Sequence, residues 1–231
     1  MSKPVFAGIY AIVDSKQHEA FGLERLIDEI IKNSSISIMQ LRLKGISKID
    51  KQSLLRHALS LKSHRDFQLI INDDIDLINE CYSGFEVDGL HLGQKDMSFG
   101  MARKAYPQKT LGLSTHSLAQ AKEAMTLGAN YIGCGAVFAT QSKDNTTDLG
   151  LAGLKEIIKE VNLPKVAIGG ITSINEIKMI ADTGCEMAAV LSGLVQNGKF
   201  VGQELQNRYF RLRPPSSYVR LRRTTENEQA D

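Results

Sequence analysis

The chain has 231 residues, 42% of them hydrophobic, and a formal net charge of +2. A chain of this size can bury a full core, and it fits one barrel or one doubly wound sheet better than two small domains. The slight positive charge is too small to indicate nucleic-acid or membrane binding by itself.

The three cysteines, Cys81, Cys134 and Cys185, are odd in number, far apart and in no CxxC pair. This spacing supports neither a disulfide framework nor a zinc site built from thiolates, and a reducing cytoplasm is the simpler setting. The apolar run at residues 5–13 is followed by no convincing signal-peptide cleavage site, so we interpret it as the first strand. No stretch reaches the ~18 apolar residues that a membrane helix needs.

Short strands rich in Val, Ile or Leu alternate with helical patterns along the chain. The predicted strands cover residues 5–13, 36–43, 68–72, 88–93, 110–114, 131–137, 165–169 and 187–191. The predicted helices cover residues 23–32, 51–63, 75–80, 99–105, 118–127, 151–161 and 174–182, with a last segment after Gly202. Eight such units in roughly 200 residues predict a single (β/α)₈ TIM-barrel domain over residues 1–207.

The alternative to a barrel is an open, doubly wound sheet. A dinucleotide-binding fingerprint would favour that fold, but the segment Gly133-Cys134-Gly135 is followed by Phe138 where the third glycine belongs. No helix is predicted to begin there either. The pattern therefore favours the barrel.

Two segments stand apart from the repeating units. Residues 139–150 form a long polar loop after the sixth strand, a place where such barrels have mobile lids, and we expect a lid there. Residues 208–231 contain six arginines and end with acidic residues, and Pro214-Pro215 breaks any continuous helix. We expect this mixed-charge tail to be disordered; the alternative is an arm that binds nucleic acid.

The second predicted strand carries two cations at its end. Alternation gives it one face with Met39, Leu41 and Leu43 and another with Ile38, Gln40, Arg42 and Lys44. In an exposed strand Arg42 and Lys44 would simply be solvated. In a parallel barrel strand they would lie at the polar carboxyl end, and two cations held together there indicate a phosphate or diphosphate ligand.

Polar residues and glycines also follow the other predicted strands. After the third to sixth strands stand Asn72, Asp73, Asp74, Gln94, Asp96, Ser114, Thr115, His116, Thr140, Ser142 and Lys143, and after the seventh and eighth stand Gly169-Gly170 and Ser192-Gly193. The carboxyl ends of barrel strands meet at one mouth, where enzymes of this fold have their active sites. We therefore expect these residues to lie together.

Asp73 and Asp96 follow adjacent strands, so they are candidates to share one cation. Oxygen ligands suit Mg²⁺, which commonly bridges protein carboxylates to substrate phosphates. The alternative is that each aspartate caps the helix that follows it. A zinc site would need His91 and His116, and it is the weaker hypothesis because His91 alternates with Leu90 and Leu92 as an ordinary strand residue would.

The glycine turns at 169–172 and 191–193 are candidates for a second anion site. Backbone N–H groups of such loops bind phosphate in many barrels, since glycine allows a close approach. The alternative is that these glycines only permit tight turns. His116 is a candidate general base, whereas no Ser-His-carboxylate or Cys-His arrangement can be argued.

Six motifs, taken in order, resemble those of the thiamine phosphate synthase (thiamine-phosphate pyrophosphorylase) family. They are Gln40-x-Arg42-x-Lys44, Asn72-Asp73, His91-Leu92-Gly93-Gln94-x-Asp96, Gly112-x-Ser114-Thr115-His116, Phe138-Ala-Thr140-x-Ser142-Lys143 and Ile168-Gly169-Gly170-Ile171-Thr172. Each motif alone is weak, but six in the same order are specific. The resemblance covers nearly the whole barrel and excludes the tail after Arg208.

The resemblance implies an enzyme that joins hydroxymethylpyrimidine diphosphate to hydroxyethylthiazole phosphate, giving thiamine monophosphate and diphosphate. It implies that the pyrimidine diphosphate contacts Gln40, Arg42, Lys44, Asn72, Ser114 and Lys143. It implies that the thiazole phosphate contacts Thr140, Ser142, Gly170, Leu191 and Ser192, with Gln141 also among the substrate-binding residues. Mg²⁺ would lie on Asp73 and Asp96.

In this family no protein nucleophile is needed, because the thiazole nitrogen attacks as diphosphate leaves. The carbon–oxygen bond is thought to break first, which leaves a pyrimidine methylene cation. The expected catalytic residues are Arg42, Lys44, Ser114 and Lys143, and the cations among them would act with Mg²⁺ to neutralise charge on the leaving group. The chain departs from the family at Ser142, Lys95 and Ala136, where Thr, an acidic residue and Pro are usual; none of these changes removes a proposed ligand.

Two other functions are weighed against the synthase. A thiazole tautomerase is a related isomerase on the same barrel that uses a histidine like His116, but such relatives tend to lack the full Gln-x-Arg-x-Lys motif and the metal carboxylates. A non-catalytic module could instead bind phosphate or nucleic acid through the arginine-rich tail. The sequence favours small-molecule substrates over nucleic acid or membrane as partners, and a homo-oligomer is left open.

Overall fold

The computed structural model describes residues 6–139 and 149–214. Eight parallel strands of these ranges close into a barrel. They are β1 Gly8–Asp14, β2 Ile38–Arg42, β3 Gln68–Asn72, β4 Gly89–Leu92, β5 Thr110–Thr115, β6 Tyr131–Cys134, β7 Lys165–Ala167 and β8 Met187–Val190. The first strand closes the barrel on the last, with Gly8 opposite Met187. The predicted TIM barrel is confirmed.

Seven α-helices of the described residues surround the barrel. They are α1 Leu23–Lys32, α2 Lys48–Ser60, α3 Phe99–Ala105, α4 Leu118–Thr126, α5 Gly150–Glu160, α6 Ile174–Thr183 and α7 Gly202–Leu212. Most of them match the prediction closely; α2 begins earlier than predicted because Ser47 caps it, its hydroxyl accepting the Asp50 N–H. Within the described ranges, no helix combines the length and the apolar character needed to cross a membrane.

The helix predicted at residues 75–80 is wrong. The segment forms turns that bury Leu77 and Ile78, and an antiparallel pair of short strands, Cys81–Tyr82 and Phe85–Glu86, follows it. A segment of this length gains too few helical hydrogen bonds to offset the cost of nucleating a helix. The polypeptide therefore passes from β3 to β4 without a covering helix.

Alternate strand residues divide the molecule into two cores. The core inside the barrel consists of Phe6, Tyr10, Ile12, Ile38, Ile70, Tyr131, Val166, Met187 and Ala189. The larger core fills the space between strands and helices and includes Met39, Leu41 and Leu43. The two predicted faces of β2 are thus confirmed, which means that Gln40 and Arg42 lie on the barrel side.

The last helix extends beyond the boundary predicted at residue 207. Leu205 and Tyr209 of α7 are buried, and the Tyr209 hydroxyl donates to the Cys185 carbonyl at 2.7 Å. Residues 208–212, predicted to belong to a disordered tail, are therefore part of the helical layer, because apolar residues spaced four apart share one face. Residues 215–231, and residues 140–148 with most of the expected lid, lie outside the described part of the chain.

Candidate functional site

A cavity opens at the carboxyl ends of the barrel strands. It brings together ten residues that the sequence singled out: Gln40, Arg42, Asn72, His91, Ser114, His116, Gly169, Gly170, Leu191 and Ser192. They come from several different strands or the loops that follow them, and they converge because the strands are parallel and the barrel is closed. Lys44, Asp73 and Asp96 are not among the residues that line it. Thr140, Gln141, Ser142 and Lys143 lie outside the described residues, so their predicted roles stay predictions.

Arg42 is held by a buried carboxylate that was not among the predicted site residues. Asp14 lies opposite Arg42 in the pairing of β1 with β2, and its Oδ2 accepts a hydrogen bond from the Arg42 guanidinium. The Asp14 side chain is 1% exposed and that of Arg42 is 21% exposed. The other carboxylate oxygen accepts the backbone N–H groups of Lys16 and Gln17, each at 3.0 Å. Asp14 is therefore fixed on both sides and holds Arg42 at the cavity wall.

Lys44, Asp73 and Asp96 form a second charged group at the rim. Lys44 Nζ lies 2.8 Å from Asp73 Oδ2, and the carboxyl groups of Asp73 and Asp96 are close enough for each to shift the pKa of the other. Burial raises the pKa of Asp73, but the hydrogen bond from Asp96 and the ion pair with Lys44 outweigh it, so that this pKa lies below its ordinary value. Burial and the bond to ionised Asp73 raise the pKa of Asp96. Asp73 therefore ionises before Asp96, with Lys44 as its counter-ion.

The hydrogen bonds of these two aspartates do not match the helix-cap alternative. Asp96 Oδ2 accepts the N–H of Gly93 at 2.6 Å, a residue that precedes it in the same loop. Asp73 is followed by turns rather than a helix, and its backbone has a φ of 60°, in the left-handed region that aspartate tolerates better than most residues. The side chains are therefore available at the rim rather than used to begin a helix.

The pair of carboxylates fits a hard divalent cation. Two neighbouring carboxyl groups offer the oxygen ligands that a hard divalent ion prefers, and Mg²⁺ is commonly bound by one or two carboxylates together with substrate phosphates. Among the described residues, no group of three or more His, Cys, Asp or Glu side chains converges on one point. The zinc alternative is not favoured, because the ring nitrogens of His91 bond to Tyr131 and Ser114 instead.

A chain of hydrogen bonds crosses the floor of the cavity and joins Gln40 to Ser114. Gln40 Nε2 donates to the Tyr10 hydroxyl at 2.8 Å, and the hydroxyls of Tyr10 and Tyr131 lie 2.9 Å apart. The Tyr131 hydroxyl is 3.0 Å from His91 Nδ1, and His91 Nε2 is 2.9 Å from Ser114 Oγ. Burial raises the pKa of both tyrosines, so both phenols stay protonated. Tyr10 and Tyr131 were not among the predicted site residues, because in the sequence they have the pattern of core residues of β1 and β6.

His18 connects the Arg42 side of the cavity with the loop after β8. Its Nδ1 accepts the N–H of Asp14 at 3.0 Å, and its Nε2 lies 3.1 Å from the carbonyl oxygen of Leu191. Because the backbone N–H can only donate, the ring proton is on Nε2 and is donated to Leu191. Burial lowers the pKa of His18, which keeps the ring neutral in this position. This residue was also missed from the sequence.

The backbone conformation and the close packing of the loop after β7 require glycine at positions 169 and 170. Their φ angles are 104° and 66°, and a Cβ atom on Gly170 would lie 2.5 Å from the carbonyl oxygen of Ala139. The loop after β7 therefore packs directly on the loop after β6, a closeness that only glycine allows. The tight-turn alternative accounts for both glycines, and the phosphate-binding role stays a prediction.

His116 lies at the cavity wall with one ring nitrogen already used. Its Nδ1 is 2.5 Å from the carbonyl oxygen of Gly135, so Nδ1 is the donor. Its backbone N–H donates to Gln120 Oε1 at 2.7 Å, which fixes the residue at the start of α4. Nε2 is the atom that remains to accept a proton, and the general-base role of His116 stays a prediction.

Fold and cavity together define a (β/α)₈-barrel protein whose charged and polar side chains gather at the catalytic end of the barrel. The family model for thiamine monophosphate synthase matches residues 9–194. The chain belongs to this family, as its motifs indicated.

Individual relatives agree with this assignment. The chain is 35% identical over 196 residues to the thiamine-phosphate synthase of Clostridium novyi, which covers 84% of this chain and 93% of the relative. It is 36% identical over 188 residues to that of Fusobacterium nucleatum, which covers 81% and 88%. The solved thiamine phosphate pyrophosphorylase from Pyrococcus furiosus has a TM-score of 0.77 and 26% identity, covering 90% of this chain and 98% of that one. The tautomerase alternative is not favoured.

Proposed function

We propose that this protein condenses 4-amino-2-methyl-5-(diphosphooxymethyl)pyrimidine with 4-methyl-5-(2-phosphooxyethyl)thiazole to give thiamine monophosphate and diphosphate. The observation that carries the proposal is the convergence, in one cavity, of Gln40, Arg42 and Ser114 with Gly170 and Ser192 of the loops after β7 and β8. The proposed reaction needs two anion-binding positions beside a pocket for a ring, and this arrangement can supply them.

The diphosphate is assigned to the side of the cavity formed by β2. Arg42 is fixed by Asp14 and offers the remaining donors of its guanidinium to the anion. Lys44 lies farther out, beside Asp73, with 48% of its side chain exposed. We assign to both cations the neutralisation of the negative charge that accumulates as diphosphate leaves, which would favour the transition state over the bound substrate. Lys143 is expected to join them.

We assign Mg²⁺ to Asp73 and Asp96, because their neighbouring carboxylate oxygens are the ligands that suit it. When bound, the ion would neutralise charge on the diphosphate. Deprotonation of Asp96, whose pKa is raised by burial and by Asp73, would prepare the site for the ion.

The thiazole phosphate is assigned to the loops after β7 and β8. Gly170, Leu191 and Ser192 line that side of the cavity, and the Leu191 carbonyl is held by His18. Backbone N–H groups of these loops would bind the phosphate. Thr140, Gln141 and Ser142 are expected to complete this position.

The reaction needs no protein nucleophile. The bond between the pyrimidine methylene carbon and the diphosphate oxygen breaks, and its electron pair leaves with diphosphate. The lone pair of the thiazole nitrogen then forms the new carbon–nitrogen bond. The protein holds the two substrates in line, stabilises the leaving group and keeps water from the methylene carbon.

The test is to incubate the purified protein with both substrates and Mg²⁺ and to measure thiamine monophosphate and diphosphate. We expect both products in equal amounts, and a large loss of activity in Arg42→Ala but not in Arg56→Ala, a matched change at an exposed arginine of α2. Isomerisation of a thiazole phosphate without any thiamine monophosphate would overturn the proposal in favour of the tautomerase.

We also propose a cytoplasmic location, which suits the free, buried thiols of Cys134 and Cys185.

A further inference from the structure

The hydrogen bonds between Gln40 and Ser114 all run in one direction. Tyr10 accepts from Gln40 Nε2, so its single proton goes to the Tyr131 hydroxyl. Tyr131 in turn donates to His91 Nδ1, which leaves the ring proton on Nε2, where it is donated to Ser114 Oγ. Each bond fixes the next one, because each hydroxyl and the His91 ring have a single proton to give.

The direction of these hydrogen bonds restricts rotation of the Gln40 side-chain amide. If that amide alone rotated by half a turn, its carbonyl oxygen would face the oxygen of Tyr10, whose proton is already donated to Tyr131. Rotation without this clash would require both phenols to turn, His91 to change tautomer and Ser114 to give its own proton inward. The amide of Gln40 therefore cannot turn unless the whole chain reverses with it.

We propose that the chain Tyr10–Tyr131–His91–Ser114 locks the Gln40 amide and thereby makes the cavity select a 4-aminopyrimidine over its 4-oxo counterpart. This inference rests on the proposed function, since it concerns how the same cavity reads its pyrimidine substrate. Tyr10, Tyr131 and His91 are positioning residues in this scheme, because they act through Gln40.

The position of Gln40 supports this role. It lies two residues before Arg42 on the same face of β2, deeper in the barrel, and is 3% exposed. A substrate whose diphosphate lies on Arg42 therefore directs its ring toward Gln40. Ser114 lines the same cavity at the other end of the chain.

The chemistry of the two rings explains the selection. A 4-aminopyrimidine offers an amino N–H donor next to a ring nitrogen acceptor, and a locked amide matches it with a carbonyl oxygen and its remaining N–H, as glutamine does with adenine. The 4-oxo ring offers a carbonyl acceptor next to a ring N–H, so that acceptor would face acceptor and donor would face donor. A site that leaves such groups unpaired rejects the wrong ring strongly.

The test compares the two pyrimidine methyl diphosphates, 4-amino and 4-oxo, on wild type, Tyr131→Phe and Tyr209→Phe. Calorimetry gives the Kd of each compound, and kcat/KM with the thiazole phosphate is measured in parallel. Comparing the amino-to-oxo ratio between variants cancels the intrinsic difference in reactivity between the two compounds. Tyr209→Phe is the matched control, because it removes a buried hydroxyl bonded to the Cys185 carbonyl, away from the cavity.

We expect the amino-to-oxo preference to fall about tenfold in Tyr131→Phe, the effect of one lost hydrogen bond, and to stay unchanged in Tyr209→Phe. Tyr10→Phe breaks the same chain and should give the same loss if Tyr131→Phe does not fold. A folded Tyr131→Phe or Tyr10→Phe protein that keeps the full preference would overturn the inference while leaving the synthase activity intact. Wild type that makes no thiamine monophosphate would instead refute the proposed function.

Discussion

At the scale of single residues, the site depends on Asp14 as much as on the cations it was predicted to contain. An arginine at a cavity wall has many rotamers, and its guanidinium acts on a substrate only when one of them is held. Asp14 holds it through a carboxylate that is itself anchored by two backbone N–H groups. The turn after β1 therefore fixes the conformation of the Arg42 side chain through Asp14.

We predict that Asp14→Asn lowers kcat/KM for the pyrimidine diphosphate about tenfold to a hundredfold, the effect of one charge-assisted hydrogen bond. The effect should be absent in the background of Arg42→Ala, because Asp14 acts through Arg42. Steady-state kinetics of the two single variants and the double variant measure this coupling. Asp182→Asn, which changes an exposed carboxylate paired with Lys178, is the control. Additive losses would show that Asp14 has a separate role.

His18 should make the stability of the protein depend on pH. Burial lowers its pKa in the folded state below the ordinary value near 6.5. The unfolded chain therefore takes up a proton at a pH where the folded chain does not, so the stabilisation is complete above about pH 6.5 and is lost as the pH falls from there toward the folded-state pKa.

We expect the Tm of wild type to fall more between pH 7 and pH 5 than the Tm of His18→Asn, and thermal unfolding across this range measures the difference. His64→Asn, a change at an exposed histidine, should leave the wild-type slope unaltered. Equal slopes for wild type and His18→Asn would show that the ring is protonated in the folded state as readily as in the unfolded one.

At the scale of secondary-structure elements, the loop after β7 is shaped by its contact with the loop after β6. Gly170 combines a positive φ with a position against the Ala139 carbonyl. The two loops belong to neighbouring strands, and both border the side of the cavity assigned to the thiazole phosphate. A change in one loop is therefore transmitted to the other by direct backbone contact.

We predict that Gly170→Ala raises the KM for the thiazole phosphate and lowers the free energy of unfolding by more than the ~1 kcal/mol that a positive φ alone costs an alanine. Gly128→Ala isolates that backbone term, since Gly128 has a φ of 79° and a Cβ atom added there would meet no atom of the described residues within 4 Å. Denaturant unfolding and substrate titrations on both variants separate the two effects. If both variants lose the same stability and neither changes the KM, the loop contact has no role in the site.

At the scale of the whole molecule, the barrel could be predicted because each strand is short, apolar and followed by a helical pattern, and these signals are local. The convergence of Gln40, Arg42 and Ser114 followed from the topology alone. The supporting residues could not be predicted in this way. In the sequence Tyr10 and Tyr131 have the pattern of core residues. The hydrogen bond between their hydroxyls joins positions that are 121 residues apart. Asp14 fell just beyond the predicted end of the first strand, so its pairing with Arg42 depended on a register that only the structure gives.

Truncation of the C-terminal residues tests whether the activity resides in the cavity or in the arginine-rich tail. Tyr209 belongs to the core and α7 ends at Leu212, so the informative truncation lies after Pro214 and not after residue 207. We predict that residues 1–214 keep the Tm and the synthase activity of the full chain. A protein of residues 1–207 should lose roughly 10 °C in Tm or more, because it lacks the buried Tyr209 side chain and leaves the space of that side chain empty in the core. Tyr209→Ala in the full chain should reproduce much of that loss. If residues 1–214 melted like the full chain but made no thiamine monophosphate, the activity would depend on the tail, and the assignment of function to the barrel mouth would be wrong.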